Sequence, residues 1–375
     1  MQFSSIPGQD SVKNRLISAC NQGRLPHAIL LHGPEGNGAV ALGLSVISYL
    51  LCENKSETDA CGECDSCSKT KSFIHPDVHF SFPTFNSDGS KLSDTFIKEW
   101  RKCLKENPFM NYEDWMEVIK GKEDQNKQGN ITAEECREII KKLSLKSYEG
   151  GKKFMMIWLP EFLGQSGNIL LKLLEEPPEE THFILIAEDI NQVLPTIISR
   201  TQLFSIPVFS SDAIRVYLKQ NPEISENDAN AISYLSKGNL SIALHLMHEE
   251  DTAYTENMRK WLQDCYSRNL FNLNEWVSKT SGTGREKIKQ FLENSLYVFG
   301  ECLHCRLIPN HTPRVPEANA KFVMDISKIL SEGKIERIYK LINETIYHIE
   351  RNANPKISLF NLSLNLRNIL LEPAK

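Results

Sequence analysis

The sequence predicts an α/β domain with a parallel sheet, followed by domains built from helices alone. Up to about residue 207, short apolar runs that suit buried strands alternate with helical stretches. This alternation is typical of a parallel sheet whose crossover connections are helices. From Asp212 onward, helical patterns replace the strands. The predicted fold class is therefore α/β and then all-α.

Three strands and their connections define the predicted α/β domain, residues 1–207. The first strand, Ala28 to Leu31, is followed by a glycine-rich turn and an apolar stretch long enough for a helix. The second lies in "KKFMMIWLP" and the third in "THFILIAED". Between them the helical "SGNILLKLLEEPP" stops at Pro177 and Pro178, because proline cannot continue a helix.

The rest of the chain is predicted to be helical. We expect a small lid domain at 208–250 and a C-terminal helical domain at 251–375, with an insertion at about 83–130 inside the first domain. Two runs of apolar residues in the C-terminal part keep helical spacing: Ile288, Phe291, Leu292, Leu296, Phe299 and Leu303, and then Ile335, Ile338, Leu341, Ile342, Ile346 and Ile349.

Composition limits the classes of function. The chain has 375 residues, 41% of them apolar and 24% charged, and a net charge of −5. Clustered Lys and Arg drive binding to nucleic acid, so an acidic chain is not expected to bind DNA by itself. Neither an apolar run long enough for a bilayer nor a secretory signal is visible. We expect a cytoplasmic protein.

The turn "GPEGNGAV" resembles a phosphate-binding loop without its functional end. A working loop has the form G-x-x-x-x-G-K-[ST], in which Lys contacts the phosphates and the hydroxyl binds Mg²⁺. Gly33, Gly36 and Gly38 are present, but Ala39 and Val40 occupy the Lys and Ser/Thr positions. We therefore expect no functional nucleotide site and no bound ATP in this chain.

A second deficit lies at the end of the second predicted strand. An ATPase of this architecture needs acidic residues there to hold Mg²⁺ and to orient water. The sequence places Ile157 and Trp158 at that point. Glu161 follows too late in the chain, and we interpret it as a surface acid at the start of a helix.

Four cysteines predict a structural zinc site within residues 52–67. Two overlapping C-x-x-C steps and one earlier cysteine supply four thiolates, which complete a tetrahedral Zn²⁺ site and leave no position for water or substrate. The ligands are Cys52, Cys61, Cys64 and Cys67. The remaining cysteines are interpreted as buried apolar residues, including Cys302 and Cys305 beside His304 in "ECLHC".

Ser199 and Arg200 follow the third predicted strand in "LPTIISR". An arginine at such a place is either a solvated surface charge or an arginine finger, a permanently charged group offered to the nucleotide of a neighbouring subunit. The residues around it leave both interpretations open.

Together these stretches resemble the clamp-loader branch of the AAA+ family, and within it the delta-prime subunits of bacterial DNA polymerase III. The resemblance covers most of residues 1–250, is strongest in "NILLKLLEEPPEETHFILIAE" and "LPTIISR", and includes the four-cysteine module and "GNLSIALHLM". Beyond residue 255 it is thin.

The resemblance assigns roles position by position. The family's polar sensor after the third strand falls at about Ala187 and Glu188, and the second sensor arginine falls on Ser241. Positions that serve the chain's own nucleotide are therefore replaced. By contrast, Ser199 and Arg200, which serve the neighbour's nucleotide in this family, are retained, with Thr201 where cysteine is usual.

The resemblance implies a non-hydrolysing subunit of a pentameric clamp loader. Its partners would be the motor subunits (gamma/tau) and a delta subunit, joined through a C-terminal collar, and the complex would load the sliding clamp onto primed DNA. Three alternatives remain: an ATP-hydrolysing motor subunit, a zinc-dependent nucleic-acid-binding module, and an AAA+-derived zinc-containing scaffold outside replication.

Overall fold

The structure, a computed structural model, describes residues 1–85, 92–120, 128–149, 151–248, 251–267, 270–309, 311–315 and 317–372. Within this part the chain forms two compact units. The first comprises 1–216 with 237–242, and the second comprises 217–236 with 243–375. The predicted domain boundaries near 207 and 250 stay a prediction.

The first unit is organised around a parallel sheet whose spatial order is β2-β3-β4-β1-β5. In sequence order the strands are β1 (Ala28–His32), β2 (Val78–Ser81), β3 (Lys153–Trp158), β4 (Thr181–Ala187) and β5 (Gln202–Ser205). The residues of β3 are all buried, as are those of β4 except His182, because helices cover both faces of a parallel sheet.

Helices connect these strands and pack on the sheet. They are α1 (Asp10–Asn21), α2 (Ala39–Leu51), α3 (Asp65–Lys71), α4 (Ile97–Glu106), α5 (Tyr112–Ile119), α6 (Ala133–Ser144), α7 (Leu171–Glu175) and α8 (Pro195–Ile198). Segments of 3-10 helix occupy Phe3–Ser5, Ser93–Phe96, Pro160–Leu170 and Ile190–Gln192. The predicted helical stretch before Pro177 is therefore 3-10 up to Leu170 and α-helical only in the short α7, and the 3-10 segment is interrupted by a kink at Gly164, whose φ is +46°.

The three predicted strands are confirmed as β1, β3 and β4. Strands β2 and β5 were not predicted from the sequence. Both have only four residues, and Gln202 and Ser205 of β5 are exposed. Short strands at the edges of a sheet have only a weak apolar pattern in their sequence. They form because they pair with a neighbouring strand, which the sequence pattern does not reveal.

The predicted insertion at 83–130 is partly helical and contributes aromatic core residues. Trp100 of α4 and Trp115 of α5 are fully buried and meet edge-on at 5.2 Å between ring centroids. Trp100 also contacts Trp158 at the end of β3, at 5.1 Å. Residues 86–91 and 121–127 of the insertion lie outside the described residues. The described part of the insertion is thus packed against the sheet.

The remaining helices are α9 (Ser211–Leu218), α10 (Glu226–Leu235), α11 (Leu240–His248), α12 (Asp251–Tyr266), α13 (Leu270–Ser281), α14 (Arg285–Leu307), α15 (Glu317–Ile329), α16 (Glu332–Glu350) and α17 (Pro355–Leu371). The two predicted apolar runs lie in α14 and α16, and their residues form or pack against one core. The fold class, α/β and then all-α, is confirmed.

The isolated cysteines behave as predicted, with one exception. Cys20, Cys103, Cys136, Cys265 and Cys302 are buried, whereas Cys305 is only half-buried. No helix in the described part of the chain is long and apolar enough to cross a membrane.

Candidate functional site

The glycine-rich turn lies at the carboxyl edge of the sheet, between β1 and α2. Gly33 is needed because a Cβ there would lie 2.1 Å from the backbone oxygen of Ile206. Gly36 has a φ of +69°, and a Cβ there would lie 1.9 Å from Oδ1 of Asn239. Close packing within the protein therefore accounts for these glycines without a nucleotide.

Groups of the same chain hydrogen-bond to this turn. Oδ1 of Asn37 accepts a hydrogen bond from the Ala39 amide at 2.9 Å, and the Leu240 amide donates to the oxygen of Gly36 at 3.1 Å. In a working phosphate loop such amides face phosphate oxygens. Ala39 and Val40 are buried at the start of α2. The loop is thus held as a structural turn.

The space where a nucleotide would lie is nearly filled. The cavity beside the turn has a volume of about 20 Å³, roughly the space of one water molecule. Its lining includes Pro108, Phe109 and Met110 from the insertion, and Trp158 from β3. Small-molecule sites typically measure roughly 300 to 1,000 Å³. The cavity as it stands is therefore too small for a nucleotide.

The position of the second sensor is occupied in a similar way. Ser241 is fully buried and donates a hydrogen bond to Oδ2 of Asp114 at 3.0 Å. Nearby, the side-chain amides of Asn111 and Asn239 both donate to Oε1 of Glu35, at 2.9 and 3.2 Å. The turn, the insertion and the Gly238–Ser241 stretch are therefore connected by one polar network.

Acidic rather than basic side chains approach the turn. Burial, followed by the charges of Glu35 and Glu161, raises the pKa of Glu188 to about 8. Glu188 is one of the residues that line the same small cavity. Because of this raised pKa, Glu188 retains its proton at neutral pH, and Ala39 supplies no positive charge at the position of the phosphate-binding lysine.

Glu161 lies at the start of the Pro160–Leu170 segment as interpreted, but it is half-buried and its carboxylate is not at the surface, so that part of the interpretation was wrong. Its Oε1 accepts hydrogen bonds from the amides of Glu188 and Asp189 at 2.6 and 2.8 Å, and its Oε2 is buried without a hydrogen-bond partner among the described residues. Burial raises the pKa of Glu161 despite these amides. Glu161 thus fixes the backbone that follows β4. Ile157 and Trp158 are buried as predicted.

We expect Glu188→Gln to stabilise the chain increasingly as the pH rises. Between the ordinary glutamate pKa of 4.5 and about 8, the folded state retains a proton that the unfolded state releases, so wild-type stability falls across this window. Glutamine does not titrate. Its advantage in the free energy of unfolding should grow from about pH 5 to about pH 8 and reach ~1 to 3 kcal/mol.

Urea denaturation at several pH values measures this difference. Glu179→Gln is the control, because Glu179 is an exposed glutamate outside the cavity. A stability difference between Glu188→Gln and the wild type that does not change with pH would contradict a proton held by Glu188.

Ser199 and Arg200 lie at the end of α8 and do not line the cavity. The guanidinium Nε donates to Oε1 of Glu175 at 2.7 Å, and NH2 contacts the same oxygen. NH1 donates to the backbone oxygen of Thr196 at 2.9 Å and to Oγ of Ser199 at 3.1 Å. The Arg200 side chain is 29% exposed and that of Glu175 is 48% exposed. Arg200 is thus held by a surface ion pair.

The four predicted zinc ligands converge. The Sγ atoms of Cys52, Cys61, Cys64 and Cys67 all lie within 4.8 Å of one another, and those of Cys61 and Cys67 are 3.9 Å apart. Zn–S bonds of about 2.3 Å in a tetrahedron require S···S separations of about 3.8 Å. Four convergent thiols without a disulfide therefore fit a structural Zn²⁺ ion.

Backbone amides orient these sulfurs. The amides of Cys61, Cys64 and Cys67 donate to Sγ of Cys52, Cys61 and Cys64 at 3.2, 3.4 and 3.4 Å. Donation from the amides of Glu63 and Cys64 lowers the pKa of Cys61 to about 6. Such N–H···S contacts favour the thiolate form, which is the form that binds metal.

The fold and this edge of the sheet together define an α/β protein of the phosphate-loop class whose own nucleotide pocket is closed. A family model described as DNA polymerase III, delta subunit, matches residues 8–210, which is more than half of the chain. The chain therefore belongs to this clamp-loader family, and its curated relatives include several delta-prime subunits.

Individual relatives agree with this assignment. The chain is 29% identical to the delta-prime subunit of Yersinia pestis over 52% of the chain and 45% of that protein. It is 25% identical to the delta-prime subunit of Escherichia coli (65% of the chain, 61% of that protein). It is also 25% identical to the gamma subunit of Buchnera aphidicola (65% and 57%). The matches thus span about half of each relative.

Sequence reasoning missed the residues that close the pocket. It treated 83–130 as a polar insertion and did not assign a role to Phe109, Glu35 or Asn111. One signal was available: Trp100, Cys103 and Leu104, and then Trp115, Met116 and Ile119, keep helical spacing and predict two amphipathic helices. That those helices would place Phe109 beside the turn was not readable from the sequence.

Proposed function

We propose that this chain is the non-hydrolysing delta-prime subunit of a bacterial clamp-loader complex in the DNA polymerase III holoenzyme. In that role it helps to load the sliding clamp onto primed DNA in the cytoplasm. It contributes Arg200, with Ser199, to the ATP site of a neighbouring motor subunit. The observation that carries the proposal is the contrast between a closed pocket in the chain itself and an accessible arginine elsewhere on its surface.

The closed pocket supports the absence of hydrolysis. Phe109 lines the small cavity beside the turn, Ala39 cannot contact phosphate as lysine does, and Glu188 places a carboxyl group there instead of a cation. Each of these three features alone weakens nucleotide binding. Relatives of the gamma type share similar identity with the chain, but a motor subunit needs this pocket open.

The surroundings of Arg200 support its role in trans. Its strongest contact is the pair with Glu175, whose carboxylate is about half exposed. Exposed pairs of this kind contribute only about 0 to 1 kcal/mol. Exchanging Glu175 for a phosphate oxygen of a neighbouring nucleotide therefore costs little, whereas guanidinium and phosphate form a strong, charge-assisted contact.

The partners follow from the same proposal. The chain assembles with gamma/tau motor subunits and a delta subunit into a hetero-pentamer, in which residues 251–375 form its part of a helical collar. The zinc module at 52–67 is structural. The sliding clamp and primed DNA are contacted through the complex, since the chain itself is acidic overall.

Nucleotide binding and assembly test this proposal. We expect the purified chain to show no saturable ATP binding at physiological ATP concentration. We expect Ala39→Lys combined with Val40→Thr to behave in the same way, because the restored lysine still faces a filled pocket. Equilibrium dialysis with labelled ATP measures both, with a gamma-type motor subunit as the positive control.

The same preparations should form a stable complex with the motor and delta subunits by size-exclusion chromatography. Tight ATP binding by the wild-type chain would favour the motor alternative. A chain that associates with neither subunit contradicts the proposed role and favours a scaffold outside replication.

A further inference from the structure

A second group of metal-ligand side chains lies in the helical unit, apart from the four cysteines. Glu301 and His304 belong to α14, and His311 follows this helix after a turn at Ile308. One potential ligand atom from each residue lies within 4.8 Å of the others. The two carboxylate oxygens are closer to the imidazoles: Oε1 of Glu301 is 3.0 Å from Nδ1 of His304, and Oε2 is 2.9 Å from Nε2 of His311.

Helix geometry brings the first two ligands together. Residues three apart lie on the same face of a helix, and a Glu-x-x-His step supplies metal ligands in helical bundles. Ligand atoms about 2.0 to 2.2 Å from a Zn²⁺ ion are separated by about 3.3 to 3.6 Å in a tetrahedron. The observed separations lie just below this range, so small side-chain rotations would admit an ion.

The environment of Glu301 suits a ligand that is held in place. Its side chain is only 3% exposed, and its Oε2 also accepts a hydrogen bond from the Arg314 amide at 2.7 Å. This amide fixes the carboxylate from outside, as groups that surround metal ligands commonly do. His304, in contrast, is 49% exposed, which leaves one side of the cluster open to water.

We propose that Glu301, His304 and His311 bind one divalent cation of the zinc class. Three protein ligands with nitrogen and oxygen donors leave the fourth position for water. The ion would join the segment after α14 to the helix itself, through His311 on one side and Glu301 and His304 on the other. The competing interpretation is a metal-free cluster in which both imidazoles donate hydrogen bonds to the carboxylate.

Cobalt titration of the full chain distinguishes these two interpretations. Co²⁺ replaces Zn²⁺ in both kinds of site, but only a thiolate site gives intense sulfur-to-metal charge-transfer absorption. We expect the wild-type chain, with its four-cysteine module already loaded, to bind a further equivalent. This equivalent should add weak visible bands and leave the charge-transfer absorption unchanged.

Two variants assign the further equivalent to the cluster. Glu301→Gln and His304→Ala should each weaken its binding at least about 100-fold, because even groups outside the first coordination shell contribute about 10- to 100-fold. His304 is half exposed, so its replacement should leave the fold intact, which circular dichroism and the retained charge-transfer band verify. His348→Gln, an exposed histidine of α16, is the matched control and should bind like the wild type.

Two results would overturn the proposal. One is a wild-type chain that binds metal only through its thiolates. The other is a further equivalent whose affinity is the same in the wild type, Glu301→Gln and His304→Ala, since that ion must then lie elsewhere.

Discussion

Arg200→Ala is expected to reduce ATP hydrolysis at the composite site of the reconstituted complex by a factor on the order of 10³ to 10⁵, the range by which arginine fingers accelerate phosphoryl transfer. In the proposed role, the guanidinium would stabilise charge on the transferring phosphate, and alanine would remove this contribution completely. Folding and assembly should not change, because Arg200 is partly exposed and its ion pair with Glu175 lies at the surface. Single-turnover hydrolysis with primed DNA and the sliding clamp present measures the effect.

Matched variants make this result specific to Arg200. Arg24→Ala removes an exposed arginine elsewhere in the first unit and should leave turnover unchanged. Glu175→Gln removes the partner that holds Arg200 in the isolated chain, and we expect it to change turnover by less than about tenfold, since an exposed pair is worth about 0 to 1 kcal/mol. An assembled Arg200→Ala complex with wild-type turnover at every site would falsify the role in trans.

Loss of the zinc ligands is expected to have the largest effect on stability. Cys64→Ser removes one thiolate and leaves three, and structural zinc sites contribute about 10 kcal/mol or more of binding free energy to the folded state. We expect the variant to lose its zinc and at least about 3 kcal/mol of unfolding free energy. The loss of a metal ligand is among the single substitutions that destabilise proteins most. Metal analysis and urea denaturation measure the two effects.

The consequence should extend beyond the cysteine loop. Asp59, within the module, accepts hydrogen bonds from the amides of Phe3 and Ser4 at 3.0 and 2.9 Å. The N-terminal segment should therefore become more accessible to hydrogen exchange when zinc is lost. Cys20→Ala is the control, since Cys20 is a buried cysteine of α1 outside the module. A Cys64→Ser chain with unchanged metal content and stability contradicts a structural zinc site.

The sequence by itself determined three strands of the sheet and the cysteine module. Strands β1, β3 and β4 are nearly continuous apolar runs, which only a parallel sheet covered on both faces buries completely. The four cysteines lie within sixteen consecutive residues, 52–67, so their convergence depends on local turns such as that at Gly62, with a φ of +78°. The replacements at Ala39, Val40, Ile157 and Trp158 were likewise readable directly.

Only the tertiary structure showed which contacts and buried groups surround those replaced positions. Phe109 lines the small cavity beside the turn, and Glu35 accepts hydrogen bonds from Asn111 and Asn239, residues separated by 76 and 204 positions from it. Burial converts Glu161 from an expected surface acid into a support for the backbone after β4 and raises the pKa of Glu188. Sequence patterns reveal local periodicity and motif spacing, whereas contacts between distant segments and the burial of charge arise only when the chain is packed.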